Sequence, residues 1–211
     1  MKTTTDISCI IPENITGKAL DLEDSITENT IEDACKTFKR ATTRLLNPPV
    51  WHQLGGSLSA SFELASIAEN HSTERLAKRG DYLRIDIPGP SSSVGDNFDW
   101  VKVDAIYETG TEQEDEQNFG IKLMVSANPD KLAEGVAHFF KEGASSTFII
   151  QRTGTKVKAF YHGRNERTND KTGNFTDKIR NAIIAGSAIA VLSNMQWKSF
   201  IRNLLQKEIG G

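Results

Sequence analysis

Cysteine is scarce in this chain: Cys9 and Cys35 are the only two among 211 residues. Two thiols so placed do not make a disulfide framework, and a reducing cytoplasm is the expected compartment. Cys35 falls in an apolar helical stripe and reads as a small core residue. Long apolar runs are missing as well. The longest weakly polar run, Ala182 to Val191, is interrupted by Gly186 and Ser187. Crossing a bilayer takes about 20 apolar residues, so a buried helix is expected there and no membrane span. The first residues (MKTTTDISCIIPEN) lack the apolar core of a secretion signal.

The chemical signatures are absent too. There is no phosphate-binding G-x-x-x-x-G-K-[ST] loop, no G-x-G-x-x-G, no H-E-x-x-H, no C-x-x-C and no G-x-S-x-G. His52, His71, His138 and His162 are scattered without metal-ligand spacing. No metal or cofactor is therefore expected, and the balance leans away from an enzyme of a standard kind. A basic excess is also lacking. Lys and Arg total 25 against 28 Asp and Glu, for a net charge of -3, which argues against nucleic acid as a partner.

The charge is unevenly spread, however. Residues 1–30 carry two lysines against six acids, and residues 152–181 carry eight Lys and Arg against three acids. Segments of opposite sign suit pairing between copies, so a homo-oligomer is one candidate assembly. Residues 1–29 have no sustained period and are expected as an acidic arm, extended or partly disordered. Ile7, Ile10 and Ile11 suit a short strand tucked onto the body.

Residues 30–211 read as a single α+β domain. Thr30 is placed to cap a helix carrying Ile31, Ala34, Cys35, Phe38, Ala41 and Leu45 on one stripe. Asn47-Pro48-Pro49 stops it, because proline disfavours the helical conformation of the residue before it. Strict alternation follows in four segments: Leu58 to Leu64, Leu83 to Ile87, Val101 to Ala105 and Phe119 to Val125. Each has one apolar and one polar face, the mark of antiparallel sheet. Glu108 to Glu116 holds five acids and no base and reads as a solvated hairpin connection. Asn128-Pro129 opens a second helix, expected over 129–142. Two more strands are expected at 146–152 and 156–162, and a long C-terminal helix from Thr176 to Lys207. The first half of that helix is apolar on most sides and should be deeply packed.

The architecture expected is thus mainly an antiparallel curved sheet or a small β-barrel (residues 55–127), with an N-terminal helix, one inserted helix and a long buried C-terminal helix. The apolar C-terminal helix beside antiparallel strands resembles helix-grip ligand-binding domains of the START/Bet v 1 type. That resemblance implies a curved sheet around the last helix and a ligand space between them.

Three site candidates follow. The strand exit His162-Gly163-Arg164-Asn165-Glu166-Arg167 holds a proton-transfer group, two guanidinium groups and a carboxylate. His162, Arg164 and Glu166 are the candidate catalytic set, and Arg167 a candidate anion contact. Ser91, Ser92 and Ser93 offer hydroxyls in a Pro/Gly-rich loop, and Trp100 starts the strand after it. These are candidate ligand contacts at the rim of a pocket. The function expected is a binding or interaction protein holding a small apolar or anionic ligand between sheet and C-terminal helix. An enzyme at the 162–167 exit and an oligomer subunit are the alternatives.

Overall fold

The computed structural model describes residues 6–56, 60–65, 75–86, 98–130, 140–167 and 188–208, with side chains of the last segment from 194 onward. Among these residues, seven strands form one antiparallel curved sheet: β1 (Lys18–Thr27), β2 (Ser61–Ala65), β3 (Tyr82–Asp86), β4 (Asp99–Thr109), β5 (Glu116–Val125), β6 (Ser145–Thr153) and β7 (Lys156–Glu166). Their order is β1-β7-β6-β5-β4-β3-β2. Strands β2 to β7 run in chain order, and β1 returns to pair with β7. β1 and β2 are separate edges and do not pair, so the sheet is open. This corrects the β-barrel alternative. A barrel needs its edge strands to meet, whereas here helices occupy one face between them.

Among the described residues, three helices pack on that face: α1 (Ile31–Leu45), α2 (Trp51–Gly55) and α3 (Ala188–Leu205). Thr30 caps α1 as expected, its hydroxyl accepting from the Asp33 amide at 3.0 Å. Ala34, Phe38, Ala41 and Leu45 of the predicted stripe join one core with Leu64, Leu83, Val103, Ile121, Ile150 and Leu204. At its centre Trp51 meets Phe62, Phe148 and Phe200 at ring separations of 5.0, 5.8 and 5.3 Å. Its indole N–H donates to the Arg44 carbonyl at 3.1 Å, so the buried ring leaves no polar atom unpaired.

Two arginines of α1 lock the last helix. Arg44 donates to the carbonyls of Asn203 (2.9 Å), Leu204 (3.3 Å), Gln206 (2.6 Å) and Lys207 (3.3 Å). Arg40 donates to those of Leu205 and Gln206, both at 3.0 Å. The last carbonyls of a helix have no internal partners and carry the negative end of its dipole. Two cations from a neighbouring helix answer both needs.

The opposite face carries a smaller core. Residues Ile7–Ile10 form a 3-10 turn, not the short strand expected, because Asp6 caps the Ser8 amide at 3.0 Å. Ile7 and Ile10 press on Ile149, with Tyr107 and Phe160 at the edge. A Cβ at Gly120 would lie 2.3 Å from Ile10 Cδ1, so the glycine admits the turn. The acidic stretch is extended over Lys18–Thr27, where it is strand β1. The hairpin between β4 and β5 is as expected. It is anchored by the fully buried Arg152, which bonds Gln117 Oε1 at 2.7 Å and the carbonyls of Asp115, Gly154 and Glu114.

Of the inserted helix, Asn128 caps the Asp130 amide at 2.9 Å, and 131–139 lie outside the described residues. Phe140, expected in that helix, instead forms an isolated β-bridge. The expected first part of the C-terminal helix, up to residue 187, is also outside them. No helix among the described residues is long and apolar enough to cross a membrane.

Candidate functional site

Along a strand, side chains alternate between faces, and β7 divides the predicted cluster accordingly. Tyr161 and Gly163 face the helices; His162 and Arg164 face the other way. Asp21, opposite His162 in the β1–β7 register, joins the two. Its Oδ1 lies 2.5 Å from His162 Nδ1 and 2.6 Å from Arg164 Nη2. Partial burial works to raise the Asp21 pKa, but the hydrogen bonds from Arg164 and His162 prevail and hold it below its ordinary value. Arg164 also donates to the Gly163 carbonyl at 2.8 Å. Thr147 sits opposite His162 and Ser145 opposite Arg164 on β6. Both hydroxyls are buried without a hydrogen-bond partner.

Glu166 does not join this group. Asn165 has a left-handed backbone, φ 57°, and its side chain accepts from the Ile15 and Thr16 amides at 2.8 and 3.1 Å. The turn sends Glu166 back over the helix-side face, where Tyr161 Oη donates to its Oε1 at 3.3 Å. Ser146 Oγ lies 3.2 Å from the same phenol. A Cβ at Gly163 would fall 2.2 Å from Glu166 Oε1, so the glycine makes room for the carboxyl. Burial raises the pKa of Glu166 and, more strongly, that of Tyr161. Tyr161 stacks on Trp197 of α3 at 4.9 Å and 14°. His162 and Arg164 therefore converge on Asp21, and Glu166 belongs to a separate network on the other side of the sheet.

Arg167 is exposed, and its carbonyl accepts from the Lys141 amide at 2.8 Å. Trp100 is buried and pairs in register with Arg84, on the face away from the helices. Ser91, Ser92 and Ser93 lie outside the described residues.

Between sheet and helices, the described interior is filled by rings. Phe148, Tyr161, Trp197 and Phe200 lie 4.9 to 5.6 Å from one another along the chain of contacts. Open space lies at the margin instead, where α3 passes edge strand β1. A groove of about 400 Å³ there is lined by Leu22, Asn194, Met195, Lys198, Ser199 and Arg202. Asp24 Oδ2 is 3.2 Å from Lys198 Nζ and 3.3 Å from Arg202 Nε. Two cations thus share one carboxylate, and Lys198 also donates to the Glu23 carbonyl. Met195 is 62% exposed, a large apolar side chain held open beside those charges. Sequence reasoning expected this helix but missed the groove, whose strand wall is Leu22. Among the described residues, no group of three or more His, Cys, Asp or Glu side chains is placed to hold a metal ion.

No family pattern and no curated protein matches the chain in sequence. Among solved structures, it is similar to that of Ara h 8.0201, with 13% identity over 86% of this chain and 98% of that one, at a TM-score of 0.31. It is also similar to the major latex-like protein 151 of Panax ginseng, at 14% identity, 80% and 97% coverage and a TM-score of 0.33. A truncated norcoclaurine synthase from Thalictrum flavum shares 8% identity over 93% and 100%, with a TM-score of 0.32. Superpositions this loose carry no argument about function.

Proposed function

We propose that this is a binding protein for a small amphiphilic anion, held in the groove between β1 and α3. The observation that carries this reading is the lining itself. Leu22 and Met195 give an apolar wall, and Lys198 and Arg202 put two cations beside it with a single carboxylate between them. The volume, about 400 Å³, falls within the range of about 300–1,000 Å³ usual for small-molecule sites. A ligand carboxylate would share the cations with Asp24, while its alkyl part covers Met195.

An enzyme at the 162–167 exit is less well supported, because its three candidate groups stand on two faces of the sheet. Pairing between copies also loses its motive. The acidic and basic segments meet within one chain, as Glu23–Lys158 at 2.8 Å and Asp21–Arg164 at 2.6 Å.

Isothermal titration with dodecanoate and dodecanol tests the proposal. Dodecanoate should bind with a Kd on the order of 0.1–1 mM, and dodecanol more weakly. The Lys198→Met/Arg202→Met double variant should lose about tenfold for dodecanoate alone. Equal affinity for acid and alcohol, or an unaffected double variant, would refute the anionic reading.

A further inference from the structure

The outer face of the sheet carries a second hollow, far smaller than the groove, of about 170 Å³. Its walls are Ile7 and Ile11 from the N-terminal turn and Ile149 and Phe160 from the sheet. An enclosed cavity of about 150 Å³ with such walls holds one benzene ring; this hollow is of similar size but open on its solvent side. The polar groups on its border decide what that ring should carry. Asp6 borders the hollow, and its carboxylate accepts from the Ser8 amide at 3.0 Å and the Ser8 hydroxyl at 2.7 Å, one bond to each oxygen.

Ser8, Gln151 and His162 complete the border. The Gln151 amide nitrogen donates to Asn118 Oδ1 at 2.9 Å and Glu116 Oε1 at 3.3 Å. Both of its hydrogens are used, and the amide oxygen remains an acceptor. His162 Nδ1 lies 2.5 Å from an Asp21 carboxylate that also accepts from Arg164. That carboxylate accepts from Nδ1, and in the tautomer whose single hydrogen lies there Nε2 is the ring atom left as an acceptor. The ring is further held parallel to Phe160, at 12° and 6.1 Å. A ring-sized apolar hollow edged by acceptors selects an aromatic hydrogen-bond donor.

We propose that this hollow binds a single-ring aromatic compound of the phenol or aniline class, its O–H or N–H donating to His162 Nε2. Asp21 acts as the positioning residue that fixes the ring's hydrogen on the other nitrogen. The site is independent of the groove between β1 and α3, on the opposite face of the sheet from the helices.

The test is a fluorine NMR titration of the full chain with 4-fluorophenol, and with 4-fluorotoluene as the apolar match. Saturable binding of the phenol, at least tenfold tighter than the toluene, is expected. His162→Phe keeps a ring beside Phe160 and should bring the two compounds to equal affinity. Ile11→Trp, at a half-buried wall position, should fill the hollow and abolish both; it also serves if His162→Phe does not fold. Lys198→Met/Arg202→Met should leave the titration unchanged. Absence of saturable binding, equal affinity in the unsubstituted protein, or loss only in the Lys198/Arg202 variant would each overturn the proposal.

Discussion

Replacing Arg44 by Met should loosen the C-terminal helix on which the groove depends. The side chain donates to four carbonyls of the last turn of α3 and beyond, from 2.6 to 3.3 Å. A hydrogen bond from a charged group contributes about 1.5–3 kcal/mol when the acceptor is left dry. Most of these carbonyls are partly exposed, so water replaces much of what is lost. Arg40 also remains on the Gln206 and Leu205 carbonyls. The net cost should be about 2 kcal/mol, together with a faster exchange of amides in the last two turns of α3. For a chain of this size that lowers Tm by about 4–8 °C. Lys in place of Arg restores the charge but not the planar fork, so Arg44→Lys should recover about half. Urea unfolding gives the stability, and hydrogen exchange followed by mass spectrometry localises the loosening. A Met variant within about 0.5 kcal/mol of the parent, with unchanged exchange in α3, would refute the capping argument.

Three further outcomes are expected. Gly120→Val should push Ile10 off the sheet, costing about 1–3 kcal/mol by overpacking and making the chain near residues 6–12 more sensitive to limited proteolysis. Asp21→Asn should cost about 1 kcal/mol near neutral pH, since the carboxylate is more than half exposed and screened. Because the folded pKa of Asp21 is lowered, this stability is present above 3.8 and fades as pH falls below it. Urea titrations of parent and variant should therefore converge in acid. Glu166 has the opposite sign. Its folded pKa is raised from 4.5 by burial, so ionisation opposes folding as pH climbs through the folded value. Glu166→Gln should accordingly be at least as stable as the parent at pH 8 and lose that advantage at pH 4.

Much of the fold was legible because alternation and three-four spacing are local signals. Ala34, Phe38, Ala41 and Leu45 of the first stripe, and the inward positions Phe62, Leu64, Leu83, Ile85, Val101 and Val103, are buried as their periods required, whereas Ile31 at the stripe's start is exposed and Cys35 only half-buried. Strand β1 escaped notice. Its inward positions are Leu20, Leu22, Asp24 and Ile26, and as an edge strand it stays mostly wet, so its apolar signal is interrupted by an acid. Alternation also cannot say whether edge strands meet, which left barrel and open sheet undecided. The site was legible only in part. His162 and Arg164 are close in the chain, but the residue that unites them, Asp21, lies 141 positions from His162. Glu166 was grouped with them by proximity alone. One left-handed residue, Asn165, sends it to the other face; asparagine tolerates that backbone better than most side chains, a weak signal that strand alternation overrode. The opposite charges of the first and late segments suggested pairing between copies, whereas Glu23–Lys158 and Asp21–Arg164 join β1 to β7 within the chain.

The claim that β1 and α3 enclose a site for an amphiphilic anion is tested most directly at Met195, whose side chain is exposed in the groove. With the methionine methyls labelled with carbon-13, titration with dodecanoate should shift the Met195 signal saturably. The Met124 methyl, on the outer face of β5, should stay in place. The same titration on Lys198→Met/Arg202→Met should need about tenfold more ligand to reach the same shift. A Met195 signal that does not move, or moves equally for dodecanol and in the double variant, would contradict the account.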